Sequence, residues 1–230
     1  MPSSTQIRVQ AQGEVDIAAA AALMADPSRA AVLMELTDGR ALPPSELAEV
    51  AGVSRSTMSE HLAKLQRAGF LAVERGGRNR YYRLAGPEVA TAVEALAALA
   101  PRTEVRSLRQ ANRAGALGAA RTCYGHLAGE LGVGITDALV ERGLVEREGD
   151  VFLTTDPGAA FFVDLGIEKP PRAGKSCIDW SERRPHLAGK LGVALTKRLF
   201  ELDWIERTGK RRAVRVTKVG RRELGTRLAI

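Results

Sequence analysis

The chain has 230 residues, 45% apolar and 27% charged, a balance that excludes a largely disordered or collagen-like protein. Lys and Arg number 34 against 27 Asp and Glu, a net charge of +7 that directs attention to an anionic partner, nucleic acid first. The longest apolar run, residues 17–25, falls far short of the roughly 20 needed to cross a bilayer and no signal peptide opens the chain, so a cytoplasmic protein without a membrane partner is expected.

In chain order, an alanine-rich helical segment from Val15 to Met24 precedes Asp26-Pro27, a helix start in which the carboxylate caps and proline loses no hydrogen bond. Ala30, Leu33, Met34 and Leu36 supply the apolar stripe of that helix, and Asp38-Gly39 with Pro43-Pro44 breaks the chain. Ser45 reads as the cap of a short helix ending in a glycine turn at Gly52, and Ser54 caps a second helix from Arg55 to Ala68. This is a helix-turn-helix pattern. On its second helix Met58, Leu62 and Leu65 recur at core spacing, which leaves Arg55, Ser56, Thr57, Ser59, Glu60, His61 and Lys64 on other faces. Short hydroxyls and cationic heads suit a helix lying in the major groove. Phe70 to Glu74 and Tyr81 to Leu84 read as strands flanking a flexible basic hairpin with Arg75, Arg78, Asn79 and Arg80, a wing for phosphate or minor-groove contact. Tyr81 and Tyr82 point to opposite faces, so at most one belongs to the core.

These segments, Ala25 to Arg29, Leu47 to Val53, Ser54 to Leu62 and Gly77 to Leu84, resemble the winged helix of ArsR/SmtB transcriptional repressors. The resemblance implies a homodimer that binds double-stranded operator DNA as a repressor and is released or modified by an effector. It implies DNA contacts from Ser54, Arg55, Ser56, Thr57, Ser59 and His61. It also implies a dimerisation helix from Gly86 to Ala100, carrying Val89, Val93, Leu96 and Leu99 and pairing with Val15 to Met24; a core-facing role for that stripe is the alternative. The metal sensors of that family place ligands in the helix before the reader or on the dimerisation helix. Residues 44–50 and 88–98 hold no thiol or imidazole, so a metal switch at those positions is not expected.

Residues 126–147 align without gaps on 186–207 at an offset of 60, with 12 of 22 positions identical. Shared Leu-Ala and Gly-Val pairs match Leu47-Ala48 and Gly52-Val53, so each copy reads as a further helix-turn-helix with a second helix about 9 Å shorter than the reader. The copies are expected to sense or assemble and not to read bases, although the basic stretch around Arg211 remains a candidate for phosphate contact. The expected fold is mainly α with small β wings, an α+β chain. Its domains are a winged-helix DNA-binding and dimerisation domain at 1–100, a helical linker at 101–120, and a domain of two winged-helix-like repeats at 121–168 and 177–230.

The reactive side chains collect in the second half, where Cys123, His126, Cys177, Trp180 and His186 are the effector or redox candidates, with Asp179 among them. Cys123 and His126 at i, i+3 would share a helix face, and Cys177 and His186 would complete a Cys2His2 zinc site, or the thiols would form a redox switch. Against this, both repeats keep the histidine whereas Cys123 aligns with Arg183, which favours structural histidines and no cofactor. The effector is then a small organic ligand or a thiol signal. An enzyme using Cys123 and His126 lacks an orienting group and oxyanion donors, so none is expected. A sequence-independent architectural DNA binder is the other alternative.

Overall fold

The computed structural model describes residues 15–102, 104–209 and 212–230. Lys210 and Arg211, the start of the second basic stretch, lie outside the described residues. The N-terminal part runs α1 (Ile17–Met24), α2 (Pro27–Leu36), α3 (Pro44–Ala51), α4 (Arg55–Arg67), β1 (Leu71–Gly76), β2 (Asn79–Leu84) and α5 (Pro87–Leu99). The Asp26 carboxylate accepts from Arg29 N–H and the Ser54 hydroxyl from Thr57 N–H, so both expected caps form. Ser45 does not cap: α3 starts one residue earlier at Pro44 and Ser45 lies inside its first turn, because proline itself supplies the helical φ there. Val32, Leu33, Leu36, Leu47, Met58, Leu62, Leu65, Leu71 and Leu84 form one core beneath α4. Tyr82 joins that core, with its backbone bridged to Leu42, while Tyr81 stays partly exposed.

The second part continues with α6 (Leu108–Ala119), β3 (Arg121–Cys123), β4 (His126–Ala128), α7 (Glu130–Glu141), β5 (Val145–Glu148), β6 (Val151–Thr154) and α8 (Asp156–Asp164). It then repeats the last six elements as β7 (Ala173–Ile178), β8 (Pro185–Ala188), α9 (Gly189–Glu201), β9 (Ile205–Arg207), β10 (Val214–Val216) and α10 (Lys218–Leu228). Each copy is thus a hairpin, a helix, a two-stranded wing and a closing helix. Each copy has the expected wing and a helix before it, but the first helix of the expected helix-turn-helix is a strand hairpin. Gly52 ends α3 in the left-handed region at φ +66°, whereas Gly132 and Gly192 sit inside α7 and α9. There the missing side chain lets each helix pass against the carbonyl of Leu127 or Leu187. The same Gly-Val pair therefore marks a turn in one place and a close backbone approach in the others. As a result α7 and α9, at 12 and 13 residues, are not shortened relative to the 13-residue α4.

The two copies exchange their hairpins. The wing of the first copy pairs with the hairpin of the second, giving a sheet ordered β5-β6-β7-β8. Reciprocally, β10 reaches β3, through an Arg121 to Ala213 bridge and hydrogen bonds from Val214 N–H to Ala120 O and Thr122 N–H to Arg212 O. Across the same junction α9 packs on β4 and α7 on β8. The pair behaves as an intramolecular dimer about a pseudo-twofold axis. Its shared core holds Leu127, Leu139, Phe152, Phe162, Leu187, Leu199 and Trp204, the last at the position that Leu144 takes in the first copy.

Candidate functional site

Two arrangements of residues carry chemistry. The first is the outer face of α4. Burial of Met58, Leu62 and Leu65 fixes the rotation of the helix and turns Arg55, Ser56, Ser59, Glu60 and Lys64 to solvent. Thr57 is half-buried. The Ser54 hydroxyl lies within 2.8 Å of Ser56 Oγ and 2.9 Å of Thr57 Oγ1, forming a small hydroxyl cluster at the helix N-terminus. His61 stands apart from the exposed set, its ring only 12% exposed and its Nε2 3.8 Å from the Asp26 carboxylate.

The wing is more regular than the flexible hairpin expected. Strand pairing continues to Gly76 and Asn79, leaving a two-residue turn of Gly77 and Arg78 with Gly77 at φ +61°. Arg75, Arg78, Asn79 and Arg80 are all exposed, and Arg75 lies directly opposite Arg80. Like charges on directly opposite residues of a strand pair disfavour the hairpin, a repulsion that an anionic partner would offset. The other basic stretch behaves differently. Arg212 is buried against Glu94 and Thr37, and Arg215 and Arg222 pair with Glu206 and Glu223.

The second arrangement is a buried Cys and His centre. Cys123 and His126 are not on a helix; they are cross-strand partners in the β3-β4 hairpin. Cys177 and His186 are cross-strand partners in β7-β8. The two cysteines are therefore equivalent, and the ungapped alignment sets Cys123 against Arg183 only because the second hairpin carries a six-residue longer loop. The premise that one copy keeps the histidine without its cysteine does not hold. One ligand atom from each of the four residues lies within 4.8 Å of all the others, and His126 Nε2 meets His186 Nε2 at 3.0 Å. Cys123, His126 and His186 are buried and Cys177 half-buried. The hydrogen bond with the Cys177 thiol, reinforced by burial and by the Glu94 charge, pushes the Cys123 thiol far up. That is the opposite of an activated nucleophile.

Around this centre lies an ionic cluster that the spacing of residues along the chain does not reveal. Arg121, fully buried, donates to Asp179 Oδ2 at 2.9 Å and Ser181 Oγ at 2.9 Å, and stacks over Trp180 with 4.2 Å to the ring centre. Asp179 also accepts from Gly129 N–H at 2.6 Å and stands 4.0 Å from His186 Nδ1. Glu94 on α5 lies 4.0 Å from Arg121 and 3.1 Å from Arg212, whose guanidinium also reaches Thr37 at the end of α2. The one signal for this in the sequence is Glu94, a charge set among alanines and leucines past the first turn of α5, where Glu88 is the only other charged residue. Beside the cluster, a groove of about 860 Å³ opens between α2, α5, α6 and the β7-β8 loop, lined in part by Met34, Ala97, Leu117 and Trp180. Among the described residues no single helix is long and apolar enough to cross a membrane.

A family model described as a helix-turn-helix domain matches residues 24–74. The chain is 43% identical over 212 residues to the Uncharacterized HTH-type transcriptional regulator YdfF of Bacillus subtilis (strain 168), covering 90% of this chain and 94% of that one. It is 33% identical over 82 residues to the HTH-type transcriptional regulator NmtR of Mycobacterium tuberculosis, covering 36% of this chain and 68% of that one. Among solved structures, HlyU from Vibrio cholerae N16961 is 30% identical and covers 36% of this chain and 88% of its own, with a TM-score of 0.33. Matched over nine-tenths of its length by YdfF and by the helix-turn-helix model at residues 24–74, the chain belongs to the HTH-type transcriptional regulators and carries the ArsR/SmtB winged helix at its N-terminus.

Proposed function

We propose that the protein is a cytoplasmic, homodimeric repressor that reads an inverted-repeat operator through α4 and the wing, and that its DNA affinity is changed by an effector sensed in the C-terminal half. The observation that carries this reading is the outward face of α4. Arg55, Ser56, Ser59, Glu60 and Lys64 are held away from the core beside a wing bearing Arg75, Arg78 and Arg80. Hydroxyls and guanidiniums at the helix start supply base-edge contacts, and the wing supplies phosphate contacts common to all sequences.

Dimerisation is supported by apolar side chains left uncovered on two helices, α1 and α5, each of which packs on α2. α1 buries none of its residues, with Ile17 76% exposed, and α5 turns Ala90 and Val93 inward but Leu96 and Leu99 outward, Leu99 82% exposed. The α5 stripe is thus divided, core on one edge and uncovered on the other, and the uncovered edge supports the dimerisation role. A second copy seated there would place two readers in successive major grooves about 34–36 Å apart.

The groove beside Trp180 suits a small organic effector, and the ionic cluster joining Asp179 to Glu94 on α5 gives such an effector a route to the dimerisation helix. The deciding experiment is selection of bound fragments from the protein's own genome, followed by footprinting of the selected site. Two protected half-sites one helical turn apart are expected. Equal affinity for selected and random DNA would replace this reading with an architectural one.

A further inference from the structure

We propose that Cys123, His126, Cys177 and His186 bind one tetrahedral divalent ion of the zinc class on the pseudo-twofold axis, fastening the two repeats of each chain to one another. The site is independent of the DNA-reading surface and of the groove beside Trp180.

The donor set comes first. Two thiols and two imidazoles are the ligands that a borderline-soft ion takes in closed, four-coordinate sites, with no position left for substrate. In a tetrahedral complex with ordinary bond lengths the edges run from about 3.3 Å between nitrogens to about 3.8 Å between sulfurs. The histidine nitrogens are already 3.0 Å apart, and the four ligand atoms are all within 4.8 Å, so adjustments of about 1 Å or less close the site.

The topology supplies the second argument. Each hairpin contributes a cysteine and a histidine as direct cross-strand partners, so each repeat carries half a site. The reciprocal exchange of hairpins brings the halves together, as a two-subunit metal site is assembled across an isologous interface. A disulfide between the thiols would use neither histidine and would leave the two imidazole nitrogens facing each other without purpose. The surroundings supply the third. His186 is fully buried and its Nδ1 has no hydrogen-bond partner, yet the Asp179 carboxylate stands 4.0 Å from it. With Nε2 on the ion, Nδ1 carries the proton and points at a carboxylate, the arrangement that orients ligating histidines.

Charge balances on binding. Both thiols release their protons to solvent, and two thiolates with two neutral imidazoles leave the centre uncharged around a divalent cation. Neither oxidation nor reduction is involved.

The test uses the full chain, without a histidine tag, purified under reducing conditions. Elemental analysis should return one zinc per chain. Stripped protein titrated with cobalt(II) should develop the intense visible bands of a tetrahedral ion and a thiolate charge-transfer band, saturating at one equivalent and displaced by zinc. The half-buried Cys177→Ser should lose about half of the charge-transfer intensity, one thiolate of the two. His186→Gln should lose stoichiometric zinc. Wild-type protein that takes up cobalt only in octahedral form, or not at all, overturns the proposal without depending on any variant. So does a Cys123–Cys177 disulfide as the form isolated from anaerobically lysed cells, or an unchanged cobalt spectrum in Cys177→Ser.

Discussion

His126 and His186 stand 60 positions apart in the chain and meet Nε2 to Nε2 at 3.0 Å, each supplied by a different repeat. Without an ion, one ring must donate to the other. With an ion, both lone pairs point to a common centre and the two repeats become cross-linked. Binding to the folded chain alone stabilises it by about 2.7 kcal/mol at free metal 100-fold above Kd. Urea unfolding of the full chain should therefore shift to higher midpoint with added zinc. His126→Gln should abolish the shift. A zinc-dependent shift of equal size in that variant would place the ion elsewhere.

On the DNA face, base reading and backbone binding separate by residue. Arg55→Ala and Ser56→Ala should relax base preference by about 1–3 kcal/mol where a bidentate pair is removed, while leaving non-specific binding in place. Arg80→Thr should weaken all sequences alike and reduce the salt slope by about 0.9 for each phosphate that it no longer neutralises. Because Arg80 faces Arg75 across the strand pair, the same change should not lower thermal stability. A destabilised Arg80→Thr with an intact salt slope would assign the wing arginines to the fold.

The winged helix is legible in the sequence because its signals are local. Asp26 and Ser54 cap, Gly52 turns, and Met58, Leu62 and Leu65 keep helical spacing. The repeats are legible as a duplication but not in their secondary structure, since Gly132 and Gly192 look like turn residues and act as close-packing residues. The members of the Cys and His centre are all legible, but their geometry is not. They pair across hairpins of different loop length, and only the long-range exchange of β-strands brings Cys123 to Cys177. The ionic cluster of Arg121, Asp179, Glu94 and Arg212 depends wholly on contacts between distant segments, so residue spacing carries no trace of it beyond the charge of Glu94 in the apolar body of α5.

Leu96 and Leu99 are exposed on α5, and burying each fully in a partner contributes about 1.5–3 kcal/mol. The double change Leu96→Glu, Leu99→Glu should give a monomer by sedimentation with an unaltered helical spectrum. Binding to a two-half-site operator should fall to the single-half-site level. A variant that remains dimeric would move the interface to another face.

Asp179 makes the junction between the repeats acid-labile. Burial disfavours its charge, but Arg121, the Ser181 hydroxyl and the N–H groups of Gly129 and Glu182 outweigh burial and hold the carboxyl well below its ordinary 3.8. A depressed folded value means that the stabilisation is complete above 3.8 and is lost as pH falls from there toward the folded value. At neutral pH Asp179→Asn leaves Arg121 without its nearest charge partner and should cost about 3–5 kcal/mol. The gap between wild type and variant in urea should narrow only below 3.8. A gap that narrows near neutrality would point to another titrating group.

The duplication provides its own control for packing. Gly158 and Gly220 occupy equivalent places in α8 and α10, each just after a threonine cap, and a Cβ at either would overlap a backbone carbonyl, that of Leu144 or Trp204. Neither carbonyl can withdraw without moving its strand. Gly158→Ala and Gly220→Ala should each cost about 1–3 kcal/mol through this overlap, despite the better helix propensity of alanine. Gly134 in α7 is the opposite case, for a Cβ there meets nothing within 4 Å and the equivalent position in α9 is already Ala194. Gly134→Ala should therefore raise stability by up to about 1 kcal/mol. Chemical denaturation of the three variants reads all of these effects at once. If Gly134→Ala destabilises as Gly158→Ala does, glycine in these helices is held by something other than the carbonyl contacts.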